Sequence, residues 1–328
     1  MNSLEPLLEI KDLRLVFSTE RGILDLFQGL SLSLMRRELL GIVGESGSGK
    51  STLAYTIIKL LPGNARILGG KVILEGRDIL SMKEEELRRI RGKEITMVFQ
   101  DPSTSLNPVF RVKDQMLSVV KENLGLEGEV ARKRALELLK QVELPDPESI
   151  MNSFPFELSG GMQQRVMIAM ALAANPKLIV ADEPTSSVDA TIQTQILSLL
   201  KRLKAERDFS LILITHSIAV AKEVSDRIAV MYAGEIVELG KVETVIEKHL
   251  HPYTEALLKS IPRPRGKSEM KRRLPVVPGQ VPDLISPPSG CRFHPRCPYA
   301  MDICKAERPP YFNKDGSLVM CWLYSEER

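Results

Sequence analysis

The segment from Gly44 to Ser51 reads G-x-x-x-x-G-K-S and is rich in glycine and serine. Glycine lets a backbone bend until several N–H groups point at one anion, and such concave segments bind phosphate. Lys50 adds a positive charge for the β- and γ-phosphates, and the Ser51 hydroxyl can ligate Mg²⁺. The spacing therefore predicts a site for Mg²⁺ and ATP. The loop residues predicted to hold them are Gly44, Glu45, Ser46, Gly47, Ser48, Gly49, Lys50, Ser51 and Thr52.

An acidic pair, Asp182 and Glu183, follows the apolar run Leu178–Ala181. A carboxylate at the end of a strand can hold Mg²⁺ through its water shell, and a second one can act as general base toward water. An acidic pair alone is more often a solvated turn or a helix cap. Together with the phosphate loop, the pair predicts hydrolysis of the bound nucleotide.

The phosphate loop lies between a short apolar run, Leu39–Val43, and a stretch with helical spacing that begins at Lys50 and stops at Pro62 and Gly63. Further short apolar runs alternate with helical patterns such as Ile192–Leu203. This alternation predicts an α/β domain with a largely parallel sheet. These further runs are Val72–Leu74, Ile95–Phe99, Leu178–Ala181 and Leu211–Ile214.

Strand patterns disappear between Gln100 and Ser159, where Val112–Val120 and Val130–Leu139 are amphipathic, so we expect a helical insert there. Farther on, Arg227–Leu239 predicts a hairpin around Ala233 and Gly234. The proline-rich and basic stretch 262–288 predicts a solvated linker, in preference to a contact with lipid headgroups.

The stretch from Leu158 to Arg165 reads LSGGMQQR and identifies a family. Ser159 is a favourable N-cap, and Gly160 and Gly161 allow a phosphate to approach the start of a helix. This segment closely resembles the signature motif of ABC-transporter ATPases. The resemblance extends over essentially the whole chain, is strongest between residues 41 and 236, and implies a P-loop NTPase fold of the ABC type.

The resemblance also implies roles for residues outside the phosphate loop. Phe17 would stack on adenine, Gln100 would sense Mg²⁺ and the γ-phosphate, and His216 would contact the γ-phosphate. Ser159, Gly160 and Gly161 would bind ATP held by a second subunit, because two such ATPases enclose two ATP molecules. The chain departs from the family at 186–189, where Ser-Ser-Val-Asp replaces the common Ser-Ala-Leu-Asp.

Two further stretches resemble the dipeptide and oligopeptide importers, namely the segment 100–108 and His251-Pro252-Tyr253-Thr254. The resemblance implies a second ATPase subunit, a paralogue by family habit, two transmembrane permease subunits and an extracytoplasmic peptide-binding protein. Nickel importers are close relatives and remain an alternative. A soluble ABC-type ATPase of DNA repair or translation is another, although the chain shows neither a second ATPase half nor a coiled-coil insert.

The four cysteines all fall near the end of the sequence and are separated by five, six and sixteen residues. Four thiolates suit Zn²⁺ or an iron–sulfur cluster, and no C-x₂-C pair typical of a zinc ribbon is present. Some dipeptide-importer subunits carry a similar pattern with a [4Fe–4S] cluster, and this resemblance favours iron–sulfur over zinc or free thiols. The expected ligands are Cys291, Cys297, Cys304 and Cys321.

The charge balance, 45 basic against 42 acidic residues, lacks the basic excess expected of a nucleic-acid-binding protein. No stretch approaches the roughly 18 apolar residues of a membrane span. We therefore expect a peripheral protein at the cytoplasmic face of the cell membrane. Its predicted organisation is an ATPase domain over 1–250, with a helical subdomain at about 103–174, and a small metal-binding extension over 251–328.

Overall fold

A computed structural model of the chain describes residues 5–186, 188–261, 277 and 279–325. The basic part of the predicted linker falls outside these described residues, as does Ser187. Within the described part of the chain, no helix is both long enough and apolar enough to cross a membrane.

The described secondary structure comprises strands and helices that alternate through much of the chain. The strands are β1 Pro6–Thr19, β2 Gly22–Met35, β3 Leu39–Val43, β4 Ala65–Leu74, β5 Arg77–Asp78, β6 Ile95–Val98, β7 Leu178–Asp182, β8 Ser210–Thr215, β9 Arg227–Tyr232, β10 Glu235–Lys241, β11 Phe312–Lys314 and β12 Ser317–Val319. The helices are α1 Lys50–Ile57, α2 Glu84–Ile90, α3 Pro102–Ser105, α4 Val112–Leu124, α5 Gly128–Gln141, α6 Pro147–Asn152, α7 Gly160–Ala171, α8 Ala190–Glu206, α9 Ile218–Val224, α10 Val242–Lys248, α11 Pro252–Lys259 and α12 Asp302–Ala306.

These elements form two compact units, which we call the helical unit and the phosphate-loop unit. The helical unit consists of Met35–Glu38 and Ser81–Ile214. The phosphate-loop unit consists of the described parts of Asn2–Leu34, Leu39–Leu80 and Thr215–Arg328.

The helical unit is built on three neighbouring parallel strands, β6, β7 and β8. Every residue of β7 and β8 is buried, which explains why both read as continuous apolar runs in the sequence. The predicted helices of the insert are confirmed as α4 and α5, and no strand occurs between residues 99 and 177, all of which are described. Helix α4 ends at Gly125, whose φ of 69° stops the helical path.

The phosphate-loop unit contains a four-stranded sheet of order β2-β1-β4-β5, in which β4 pairs antiparallel with β1 and with β5. The expectation of a largely parallel sheet was incomplete because it omitted this sheet and its strand β2. Strand β2 buries Leu26 and Phe27 side by side, but Leu30, Leu32 and Leu34 then alternate with two serines, which is the pattern of a half-buried strand and was overlooked.

A second group of strands in the same unit includes β3, which runs parallel to β9. Strands β9 and β10 form the predicted antiparallel hairpin, and Ala233 and Gly234 at its tip have φ values of 47° and 82°. Strand β12 then pairs with β10, and β11 pairs with β12. The C-terminal segment, residues 279–325, is therefore joined by backbone hydrogen bonds to β10 of this hairpin.

Glycines at the tips of two hairpins differ in how closely other backbone atoms approach them, and their replacement tests the importance of this packing. Gly234 and Gly316 both occupy the second turn position, with φ of 82° and 80°. A Cβ at Gly234 would lie 1.8 Å from the Leu26 carbonyl oxygen, whereas a Cβ at Gly316 would meet nothing within 4 Å. We expect Gly234→Ala to lower the free energy of unfolding by about 4 kcal/mol or more, and Gly316→Ala by only about 1 kcal/mol. Urea unfolding measures both, and equal losses would contradict the packing argument.

Candidate nucleotide site

The phosphate loop follows β3 and turns directly into α1. Gly49 is the N-cap of this helix, with φ of 100°, and Gly47 has φ of 80°, so both adopt left-handed conformations that glycine tolerates best. Ser48 and Lys50 are buried at 1% and 5% exposure. The loop is thus a compact, glycine-dependent bend at the N-terminus of a helix, the arrangement that binds phosphate.

The loop packs against strands β2 and β9 without room for side chains at two glycines. A Cβ on Gly44 would lie 2.0 Å from the Met231 carbonyl oxygen, and one on Gly49 would lie 3.0 Å from Cε1 of Phe27. Gly47, by contrast, has open space around the same position. Gly44 is therefore required by packing and Gly47 by backbone conformation, whereas Gly49 combines a left-handed conformation with tight contacts to side chains.

Lys50 folds its ammonium group back over the loop. Its Nζ donates hydrogen bonds to the carbonyl oxygens of Gly44 and Glu45, at 2.8 and 2.9 Å. This positive charge lies at the concave side of the loop, where triphosphate oxygens could replace the carbonyls as acceptors. The role predicted for Lys50 is compatible with this position.

Glu45, the loop's acidic residue, contacts two residues from beyond position 250. Its backbone N–H donates to the hydroxyl of Tyr253 at 2.8 Å. Arg296 donates to both carboxylate oxygens of Glu45, at 2.6 and 3.0 Å. Burial disfavours the guanidinium charge, but the bonds to Glu45 and Tyr232 outweigh this and raise the pKa of Arg296.

Tyr253 is placed by the His-Pro-Tyr stretch at the start of α11. His251 is the N-cap, and its Nδ1 accepts the backbone N–H of Tyr253 at 3.0 Å. The buried Glu238 of β10 accepts the backbone N–H of His251 at 2.9 Å, and burial raises the pKa of Glu238. Tyr253 then packs against Tyr232 and Phe293, at ring-centroid distances of 4.7 and 5.4 Å.

In the helical unit, the acidic pair stands where strand β7 ends. Asp182 is its last residue and is 2% exposed. Glu183 adopts a φ of 43°, and its N–H donates to the carbonyl of Ile214 at 2.9 Å. This hydrogen bond and the left-handed conformation fix the backbone at the end of β7.

The signature segment begins helix α7 in the same unit. The Ser159 hydroxyl accepts the N–H of Met162 at 3.3 Å, which confirms Ser159 as an N-cap. A Cβ on Gly161 would lie 2.6 Å from Cγ2 of Ile192 in α8, so glycine is needed where these helices meet. Asp189 caps α8 by accepting the N–H groups of Thr191 and Ile192.

Three other predicted residues lie at the expected places in the secondary structure. Phe17 is half-buried in β1, opposite Ala65 of β4. Gln100 is exposed two residues after β6, and His216 is exposed directly after β8. Their contacts with nucleotide remain predictions.

Comparison with known proteins decides the family. Residues 27–186 match the family described as ABC transporter, and residues 237–304 match the C-terminal region of oligopeptide and dipeptide transporters. The chain is 48% identical to the oligopeptide transport ATP-binding protein OppD of Bacillus subtilis, over 97% of this chain and 88% of that protein. It is 44% identical to the dipeptide transport ATP-binding protein DppD of Caldanaerobacter subterraneus, over 98% of each. The chain belongs to the ATP-binding proteins of peptide ABC transporters.

Solved structures agree with this family. The ATP-binding cassette MJ0796, in a dimeric post-hydrolysis state bound to ADP and Pi, shares 33% identity and gives a TM-score of 0.64. The match covers 72% of this chain and 98% of that one. The ABC ATPase fold expected from the phosphate loop and the LSGGMQQR segment is confirmed.

The cysteine site predicted for this peptide-transporter ATPase is not supported by the arrangement of its thiols. Among the described residues, no group of three or more His, Cys, Asp or Glu side chains could hold a metal ion. Burial raises the pKa of Cys291 to about 12, and the pKa of Cys297 is raised for the same reason, so both favour the neutral thiol. The predicted ligands concerned are Cys291, Cys297, Cys304 and Cys321.

Sequence reasoning missed the contacts of Tyr253 and Arg296 with the loop. The His-Pro-Tyr stretch was recognised only as a marker of the family branch, although a tyrosine just after a helix N-cap is a candidate for a fixed side chain. Arg296 and Glu45 lie 251 positions apart, and nothing in a single sequence pairs them.

The buried His251 predicts a pH-dependent stability. Burial lowers its pKa from 6.5 to about 3, so the folded protein keeps it neutral while the unfolded chain binds a proton below pH 6.5. This stabilisation is complete above pH 6.5 and is lost progressively as the pH falls toward 3. Between pH 7.0 and 5.5 we expect wild type to lose about 1 kcal/mol more than His251→Asn, which retains a capping acceptor.

Urea unfolding at both pH values measures this difference. The matched control is His249→Asn, since asparagine tolerates the left-handed φ of 36° found at that position. His249→Asn is expected to follow wild type. Parallel pH dependence in wild type and His251→Asn would contradict the assignment.

Proposed function

We infer that this chain is the ATP-hydrolysing subunit of an importer for dipeptides or oligopeptides. The observation that carries the inference is a glycine-constrained phosphate loop with buried Lys50, in a chain similar over nearly its full length to peptide-transport ATP-binding proteins. Peptides are favoured over nickel because both of those relatives are named for peptides, as is the family matched by residues 237–304.

Each unit contributes different chemistry to hydrolysis. In the phosphate-loop unit, loop N–H groups and Lys50 bind the phosphates, Ser51 offers its hydroxyl to Mg²⁺, and His216 contacts the γ-phosphate. Phe17 stacks on adenine. The Ser51 hydroxyl is an oxygen donor of the type that Mg²⁺ prefers, and the ion would neutralise charge on the phosphates.

In the helical unit, Glu183 accepts a proton from the attacking water. Asp182 would hold Mg²⁺ through its water shell, and Gln100 would sense the ion. Ser159, Gly160 and Gly161 bind the γ-phosphate of ATP held by a second ATPase subunit, which we expect to be a paralogue. The dimeric state of a solved relative supports this step.

The partners proposed for the chain are those that its resemblance to peptide importers implies. Two permease subunits, at the cytoplasmic face of the cell membrane, would convert closure and reopening of the ATPase pair into transport. An extracytoplasmic binding protein would select the peptide. Within the chain we propose an ATPase domain over 1–250, with its helical part at about 103–174, and an extension over 251–328.

Replacement of the general base tests hydrolysis. Glu183→Gln keeps the shape of the side chain but cannot accept the proton, so we expect ATP turnover to fall by about 10²- to 10⁴-fold while ATP-bound dimers persist. Steady-state phosphate release by the reconstituted transporter measures turnover, and size-exclusion chromatography with ATP measures dimers. Glu122→Gln, on the exposed surface of α4, is the control and should retain wild-type turnover. Near-normal turnover of Glu183→Gln would refute the role.

A [4Fe–4S] cluster on the four cysteines, with zinc as the lesser alternative, is the finer part of this proposal. Its support is the donor set and a backbone contact between two of the cysteines, since the N–H of Cys291 donates to the carbonyl oxygen of Cys304 at 2.8 Å. When bound, the cluster would fasten a segment too small to build a core of its own.

Metal analysis of anaerobically purified protein tests this site. We expect stoichiometric iron and acid-labile sulfide in wild type and a large loss of both in Cys291→Ser. Zinc without iron would replace the cluster by a structural zinc site. The absence of all three elements would refute a metal site and would leave the ATPase assignment intact.

A further inference from the structure

Glu45 is held at three points. The Tyr253 hydroxyl accepts its N–H at 2.8 Å, Lys50 donates to its carbonyl oxygen at 2.9 Å, and Arg296 binds both oxygens of its carboxylate. Two of these three partners come from beyond residue 250. The second residue of the phosphate loop is therefore fixed from outside the loop.

Arg296 is itself rigidly placed. Its side chain is 4% exposed, compared with 29% for Glu45. It donates further hydrogen bonds to the Tyr232 hydroxyl at 3.4 Å and to the Val277 carbonyl at 3.2 Å. A planar guanidinium that binds both carboxylate oxygens fixes orientation as well as distance, which an ammonium group does not.

Arg292, four residues earlier in the chain, makes hydrogen bonds to the strand and the turn that surround the loop. Its buried guanidinium donates to the carbonyl oxygens of Asp25 and Leu26 in β2 and of Ala233 in the hairpin turn. Gly234, the next turn residue, donates its N–H to the Ser48 carbonyl at 2.8 Å. The C-terminal segment thus reaches the phosphate loop by two separate routes.

We propose that Arg296 is a positioning residue for nucleotide binding, which acts through Glu45 to hold the phosphate loop in its anion-binding shape. The proposal rests on the nucleotide site inferred above and assigns the C-terminal segment a direct part in it. Arg296 has two effects. It restricts the motion of the free loop, so that the loop loses less conformational entropy when nucleotide binds. It also neutralises the loop's carboxylate close to where a triphosphate would bind.

Both effects lead to the same expectation for Arg296→Gln. The loop becomes more mobile, and the Glu45 carboxylate is left without its partner beside the phosphates. We expect the affinity for Mg²⁺ and mant-ATP, a fluorescent ATP analogue, to fall about tenfold. Arg296→Lys should lie between wild type and Arg296→Gln, because lysine restores the charge without the two-point contact.

A double-mutant cycle separates positioning through Glu45 from a general structural role. Fluorescence titration of the full chain with mant-ATP and Mg²⁺ gives Kd for wild type, Arg296→Gln, Glu45→Gln and the double variant. If Arg296 acts through Glu45, its replacement should weaken binding by less than about threefold in the Glu45→Gln background. An equal tenfold loss in both backgrounds would overturn the proposal.

Arg308→Gln is the matched control. Arg308 also lies in the C-terminal segment and pairs with Glu235 at 2.7 Å, but no contact of Arg308 with the loop is described. It should bind mant-ATP as wild type does. A tenfold loss in Arg308→Gln would attribute the effect to general loosening of the segment and would overturn the assignment to Arg296.

Turnover of the assembled transporter adds a second readout. Arg296→Gln should raise KM for ATP with little change in kcat, because Arg296 does not contact the reacting atoms. If wild type fails to bind mant-ATP, the proposed nucleotide site fails. If wild type binds and Arg296→Gln binds equally well, only the positioning role fails.

Discussion

The close approach of backbone to backbone at Gly44 is the constraint on which the phosphate-loop unit depends. The loop can leave β3 in its observed direction only because nothing larger than hydrogen separates Gly44 from the Met231 carbonyl. The same holds at Gly234, where the hairpin tip meets the Leu26 carbonyl and donates its own N–H to Ser48. Strands β2 and β9 are therefore packed tightly against the loop, and this packing restricts the direction of the loop's N–H groups.

This tight packing matters because the affinity of an anion site made of backbone N–H groups depends on their geometry. Each N–H contributes little alone, and the sum is favourable when the groups converge on one position. The polar contacts of Glu45 add side-chain restraints to this backbone packing. Arg296 and Tyr253 are buried, and their removal would leave unpaired polar groups, so these contacts define one loop conformation.

Local sequence predicted the parts of the site that depend on local chemistry. Spacing alone located the loop, the strand before Asp182, the N-cap at Ser159 and the hairpin at Gly234. Each of these follows from a turn, a cap or a buried strand whose residues are adjacent in the chain. Strand β2 was missed although Leu30, Leu32 and Leu34 alternate with Ser31 and Ser33, because the adjacent apolar pair Leu26 and Phe27 breaks the alternation in the first half of the strand.

The contacts that sequence could not predict are pairs of buried charged or polar groups far apart in the chain. Arg292 and Arg296 resemble surface arginines in sequence, because arginine is seldom buried and nothing nearby names its partner. The cysteine spacing likewise predicted which four side chains could serve as ligands, but it could not predict how those side chains are arranged.

Buried ion pairs contribute little net stability, since desolvation offsets much of the attraction between the charges. Such pairs instead fix the orientation of the groups involved, because a guanidinium that is hydrogen-bonded on both edges permits only one arrangement of its partners. The partner that Arg296 orients is Glu45, so the arrangement that it fixes is the conformation of the phosphate loop. The C-terminal segment therefore affects the loop through geometry more than through the free energy of unfolding.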